Sequence, residues 1–253
     1  MALIPILQEA KRRFSTLVTQ HQLGNQRVQV IVEPLSPKQA IGSPSRQDFA
    51  LLEGKEVIVE ARFRESFGHA FTDRPRRFDG TIDEVLCLSL DTSGNRAVFI
   101  STLNAMASHL GIATAVRHCR DDEPDRCGSQ IALNLREKFG RIKIGLIGFQ
   151  PAILQNLSQS FGIDNVRCTD LNPKNIGLYK SGVAIWDGKT ETSRLINWCD
   201  LLLVTSSAIA NGTFDDICQE AASAGKRLIL FGVTGAGICA LTGIEIICPF
   251  GHR

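Results

Sequence analysis

Arg141-Ile-Lys-Ile-Gly-Leu-Ile-Gly-Phe-Gln-Pro-Ala-Ile-Leu154 decides how the second half of the chain is read. A short apolar run ends at Gly148, and Pro151 stands where a first helical turn would begin. Helical spacing then continues through Leu157. The pattern predicts a buried parallel strand, a tight glycine turn and a helix opening toward that turn. Helix N-termini attract negative charge, because unpaired N–H groups and the helix dipole point the same way. The turn is therefore expected to be a binding position.

Outward from that stretch, strand and helix alternate. Strands are expected at residues 143–148, 165–169, 200–205, 226–231 and 245–248. Helices are expected at 151–161, 191–199 and 213–224, with a brief one after Gly235. Such alternation predicts a doubly wound parallel sheet, in which ligands collect beyond the C-terminal strand ends. The candidate ligand-binding residues at those ends are Gly148, Gln150 and Pro151, then Asp170 and Asn172. Thr205, Ser206, Asn211, Gly212 and Thr213 follow, then Gly232 and Thr234. Gly212 would supply an unusual backbone angle and Thr213 a helix cap. Hydroxyls beside free N–H groups would cradle a carboxylate or phosphate.

Asp170 lies about 20 residues beyond the glycine turn, where a dinucleotide fold puts its ribose-binding carboxylate. However, Gly145-Leu-Ile-Gly148-Phe-Gln-Pro151 is not the G-x-G-x-x-G fingerprint. A nucleotide-cofactor-dependent transferase or oxidoreductase is thus an alternative only, and the sequence identifies no cofactor.

The first half, residues 1–140, reads as an α+β unit. Ile6 to His21 predicts an amphipathic helix closed by Gly24-Asn25, with strands at 27–32 and 55–63 and a proline-broken loop between them. Residues 65–81 read as a long irregular loop, with Arg74, Arg76 and Arg77 as candidate ligand contacts. Thr81 and Asp83 cap a helix over 82–90, Asp91–Asn95 is a turn, and Arg96–Leu110 is a largely buried helix. Asn104 in that apolar helix must find polar partners, either in the protein or in a ligand. A short strand near Thr114 then leads to Glu123-Pro124 and a helix over 125–139. Glu123 is a further candidate ligand contact. The boundary to the second unit, residues 141–253, is placed at Gly140-Arg141.

Composition narrows the function classes. The net charge is +2, and Lys+Arg exceed Asp+Glu by one in each half, 18 against 17 in residues 1–140 and 10 against 9 afterwards. A nucleic-acid partner is therefore not expected. No apolar run approaches the ~18 residues of a membrane span, and the N-terminus lacks signal-peptide order, so a cytoplasmic protein is expected. The eight cysteines are scattered, as reduced buried thiols would be. His118, Cys119 and Cys127 among acidic residues carry an alternative reading as a transition-metal binding or delivery site. Their spacing is not that of a zinc knuckle.

Ser101-Thr-Leu-Asn104-Ala105, His118-Cys119-Arg-Asp-Asp-Glu123-Pro124-Asp-Arg-Cys127, Ile144-Gly-Leu-Ile-Gly148-Phe-Gln-Pro151 and Thr205-Ser-Ser-Ala-Ile-Ala-Asn211-Gly212-Thr213 together resemble the family labelled "putative heavy-metal chelation domain". The resemblance spans roughly residues 60–250. It departs from the family at Phe231-Gly232-Val-Thr234, where a Gly-Pro-Ser/Thr turn is common. It implies an enolase N-terminal-like domain, then a Rossmann-like one, with a metal-chelating or pterin-like small molecule in the cleft between them. The expected function is binding of an anionic or heteroaromatic small molecule in that cleft. Whether catalysis follows is left open by the sequence, and a homo-oligomer is compatible with it.

Overall fold

The computed structural model describes residues 5–23, 30–52 and 56–253. The expected closure at Gly24-Asn25, the start of the strand at 27–32 and Lys55 lie outside the described residues. Helix α1 (Ile6–Gln20) forms as its spacing predicts, burying Ile6, Leu7, Ala10, Phe14 and Val18. Strand β1 (Val30–Pro34) precedes a short α2 (Pro37–Ile41), where a loop was expected. A capping box between Ser36 and Gln39 and a proline in the first turn start that helix.

Strands β2 (Val57–Phe63), β3 (Ser66–Thr72) and β4 (Phe78–Gly80) complete an antiparallel sheet of order β3-β2-β1-β4. The expected long loop over 65–81 is thus corrected to two strands. Its small residues have a packing reason. A Cβ on Gly68 would lie 2.2 Å from Ala105 N and 2.4 Å from Ser101 O, so β3 is pressed onto the backbone of a helix. That helix is α4 (Ser93–His109), capped by Thr92 and preceded by α3 (Ile82–Cys87), whose capping box pairs Thr81 with Glu84. The turn expected at 91–95 is therefore the first turn of α4. The short strand expected near Thr114 is reduced to a single bridge between Arg117 and His252. Helix α5 (Glu123–Phe139) then leads into the second sheet.

That sheet is built from β5 (Ile144–Ile147), α6 (Pro151–Phe161), β6 (Val166–Asp170), β7 (Tyr179–Lys180), β8 (Val183–Asp187), α7 (Thr192–Trp198), β9 (Leu201–Thr205), α8 (Ser207–Asn211), α9 (Phe214–Ser223), β10 (Arg227–Phe231), α10 (Ala236–Thr242) and β11 (Ile246–Ile247). The order is β11-β10-β9-β5-β6-β8-β7, parallel except for β7. Without the edge strand β7 it is the doubly wound Rossmann order, which reverses direction between β5 and β9. The β7–β8 hairpin was not anticipated. It closes through Ser181 and Gly182, both at positive φ (49° and 79°), as a two-residue turn between strands requires.

Helices α5 and α6 cover one face of this sheet, where Ile131, Leu135, Leu154 and Leu157 pack on Ile144, Leu146 and Leu203. On the other face α1 and α4 join α7–α10. Phe14, Phe99 and Leu103 lie in one continuous core with Leu202, Val204, Leu230 and Ile238, and with Val59 and Phe63 of the first sheet. Among the described residues no helix is long and apolar enough to cross a membrane.

Candidate functional site

A cavity of about 760 Å³ opens where the order of the second sheet reverses, facing the end of the first sheet. One wall is formed by Ile41, the 49–51 turn, Glu56, and Phe71 to Asp73 at the end of β3. Cys127 and Ile131 on α5 extend it. The opposite wall is the row of strand ends: Gly148–Pro151, Thr169–Pro173, Thr205–Ala208 and Phe231–Thr234.

The glycine turn occupies this position for a steric reason. Gly148 has φ +90°, and a Cβ there would lie 2.5 Å from Thr205 Cγ2 across the reversal point. Its surroundings engage the amides that were expected to seat negative charge. Gly148 N–H donates to Thr169 O at 2.9 Å, Phe149 N–H to Asp170 Oδ2 at 2.7 Å, and Ile153 N–H to the Gln150 side chain at 2.5 Å. Pro151 has no N–H at all. The protein's own side chains thus fill most of the cradle that an anion would use.

Asp170 is where the sequence placed it, but its bonds are to the protein. Besides Phe149 it accepts from Asn172 N–H at 2.7 Å and Asn175 Nδ2 at 3.2 Å, so it fastens two strand-end turns together. The hydroxyls behave similarly. Ser206 Oγ donates to Gly232 O, Thr205 Oγ1 donates to Ser207 Oγ, and Thr234 Oγ1 accepts from Phe71 N–H. Thr213 starts α9 without a side-chain cap. Instead its N–H and hydroxyl both donate to Asn211 Oδ1, at 3.0 and 2.8 Å.

Of the sequence-predicted residues, Gly148, Gln150, Pro151, Asp170, Asn172, Thr205, Ser206, Asn211, Thr213, Gly232 and Thr234 line the cavity, as do His118, Cys119 and Cys127. Asn104, Glu123 and Gly212 do not, nor do Arg74, Arg76 and Arg77. Asn104 is fully buried. Its Nδ2 donates to His69 O, Val233 O and Thr234 O, and its Oδ1 accepts from Gly237 N–H, which ties the first sheet to the second. Glu123 accepts from Arg120 N–H and pairs with His252 at 2.7 Å. Gly212, at φ +87°, ends α8 beneath the Arg96 guanidinium. Arg76 donates to Asn95, and Arg77 lies 3.6 Å from Glu33.

The residues missed by the sequence reading change the electrostatics. Among the described lining residues five are acidic, Glu56, Asp73, Asp170, Asp216 and Glu220, against one Lys189. Glu56 accepts no hydrogen bond from any described residue. Burial, then the charges of Asp170 and Asp73, push its pKa up to about 7. Thr169, fully buried at the end of β6, has a hydroxyl with no partner among the described residues. No local pattern marks Glu56, because the carboxylates around it come from other elements.

The metal alternative was tested on the donors themselves. Burial pushes the His118 pKa down to about 4 and that of Cys248 up to about 12. The Cys119 thiol hydrogen-bonds to Cys127, which raises the first pKa and lowers the second. All eight cysteines are unpaired. Among the described residues no three His, Cys, Asp or Glu side chains are grouped to hold a metal ion. The described donors therefore form no closed metal site among themselves.

No curated protein matches the chain. Among the solved structures similar to it are two of DUF364-family proteins of unknown function. The Pyrococcus horikoshii structure is 18% identical with a TM-score of 0.55, covering 95% of this chain and 84% of its own. The Desulfitobacterium hafniense structure is 12% identical with a TM-score of 0.48, covering 74% of this chain and 72% of its own. The motifs at 101–105 and 118–127 lie before the segment matched by the family model. Residues 132–247 match the DUF364 family, described as "Putative heavy-metal chelation", and so bear out the family resemblance read from the sequence.

Proposed function

We propose that this chain is a small-molecule-binding protein whose ligand lies in the cavity between the two sheets. One observation carries the reading: a hollow of about 760 Å³ at the reversal point of a doubly wound sheet, walled by both halves of the chain. Its size falls within the ~300–1,000 Å³ of ligand sites, and its walls combine aromatic side chains with a few convergent polar groups. Phe49, Phe71, Phe149 and Phe231 suit a flat heteroaromatic body. The acidic lining and the occupied amides disfavour an anionic one. A metal would have to arrive with ligands of its own, since the described residues group no three donors around a point.

The test is a thermal-shift screen of flat heteroaromatics spanning neutral, cationic and anionic members. A true ligand at a hundredfold excess over its Kd should raise Tm by about 5 °C or more. Ala50→Trp, which projects an indole from the 49–51 turn, should remove the shift. Hits that survive Ala50→Trp, or a library that shifts nothing, would overturn the assignment.

A further inference from the structure

Resting on that reading of the cavity, we propose that its ligand is an organic cation: a flat amidinium or guanidinium whose N–H groups are received by Glu56, with Asp73 beside it. Both Glu56 oxygens lack a hydrogen-bond donor among the described residues, whereas Asp170 is engaged with Phe149, Asn172 and Asn175. Asp73 spends one oxygen on Ser93 Oγ, at 2.8 Å, and keeps the other. An unpartnered carboxylate in a partly buried wall is costly unless something compensates it. A planar cation does so with two parallel charge-assisted hydrogen bonds, and the neighbouring phenyl faces add a favourable quadrupole.

A second, independent observation points to a missing guest. Thr169 is fully buried, lines the opposite wall of the same cavity, and its Oγ1 has neither donor nor acceptor among the described residues. Native chains rarely leave such a group empty-handed. A metal ion is the other cation to weigh, but among the described residues no three carboxylate, thiol or imidazole groups converge closely enough to hold one. A fixed flat cation can bridge groups that are too far apart for a single ion.

The charged and titratable groups that line the cavity with Glu56 are Asp73, Asp170, Asp216, Glu220, Lys189, His118, Cys119, Cys127 and Cys248. Cation binding should therefore displace the Glu56 proton near neutral pH. The experiment uses the full chain and three isosteric probes, benzamidine, benzamide and benzoate, in titration calorimetry. Benzamidine should bind best. Its affinity should be about thirtyfold weaker at pH 5.5 than at pH 8, and about half a proton should be released at pH 7 in buffers of differing ionisation enthalpy. Glu56→Gln should weaken benzamidine at least tenfold at pH 8 and flatten the pH dependence. Asp73→Asn, the second variant, should weaken it less.

Benzamide or benzoate binding as tightly as benzamidine, and lost in Ala50→Trp, would discard the cation and leave the cavity reading standing. No binding by any of the three would discard both. Stoichiometric uptake of Zn²⁺ or Mg²⁺ that Glu56→Gln abolishes would also overturn the proposal, by giving the position to a metal.

Discussion

Glu56 immediately precedes β2, and nothing local marks it as unusual; its character comes from burial and from Asp170 and Asp73, which the fold delivers from other elements. Its pKa rises from the ordinary 4.5 to about 7, so the folded chain holds this proton more tightly than the unfolded one. Stability from that group is complete below pH 4.5 and is lost as the pH climbs through 7. The whole effect is about 3–4 kcal/mol. Glu56→Gln, neutral at every pH, should therefore gain stability over the parent at pH 8 and gain little at pH 4.5. Urea melts of both chains at the two pH values read this directly. Equal differences at both would refute the buried-acid account. Asp170 teaches the opposite lesson. Its position was legible from the spacing after Gly148, but its role was not, because Phe149, Asn172 and Asn175 reach it before any ligand does.

At the scale of elements, what was legible depended on whether the signal was local. β5, the Gly148 turn and α6 fall where the apolar run and Pro151 put them, and Thr81 caps α3 as read, although Glu84 and not Asp83 completes the capping box and the helix stops at Cys87. β3 was read as a loop because Gly68 and Ala70 lack the bulk that marks a strand. That absence is what lets the strand sit against the α4 backbone, while Phe71 on its other face borders the cavity. α8 was hidden for a similar reason. Ser207 to Asn211 carries too short an apolar pattern, and Gly212 at φ +87° ends it after five residues. A substitution separates packing from loop character here. A Cβ at Gly68 would come within 2.4 Å of two backbone atoms of α4, so Gly68→Ala should cost about 2–3 kcal/mol or more. A loop glycine at negative φ would tolerate alanine almost freely. A denaturation midpoint unchanged in Gly68→Ala would return the segment to loop status.

For the whole molecule, the sequence made the doubly wound parallel class legible, missed β8, and left the joint between the two halves dark, since no residue announces a partner on a distant sheet. That joint has two parts. The cavity separates the sheets at their ends, but beside it Phe14, Phe99 and Leu103 share one core with Leu202, Val204 and Ile238. Asn104 adds four buried hydrogen bonds that run from α4 to β3, to the turn after β10 and to α10. The apolar face of the second sheet is therefore finished by helices that precede residue 141 in the chain. Residues 141–253 expressed alone would expose that face and lose α5 from the other. Such a fragment lacks the buried area a small domain needs. It should show no cooperative thermal transition, and it should bind a dye for exposed apolar surface. The full chain should melt in one step, coincident by near- and far-ultraviolet circular dichroism. A sharp, reversible transition in the isolated 141–253 fragment would mean that the halves fold separately and that the cavity lies between bodies free to move apart.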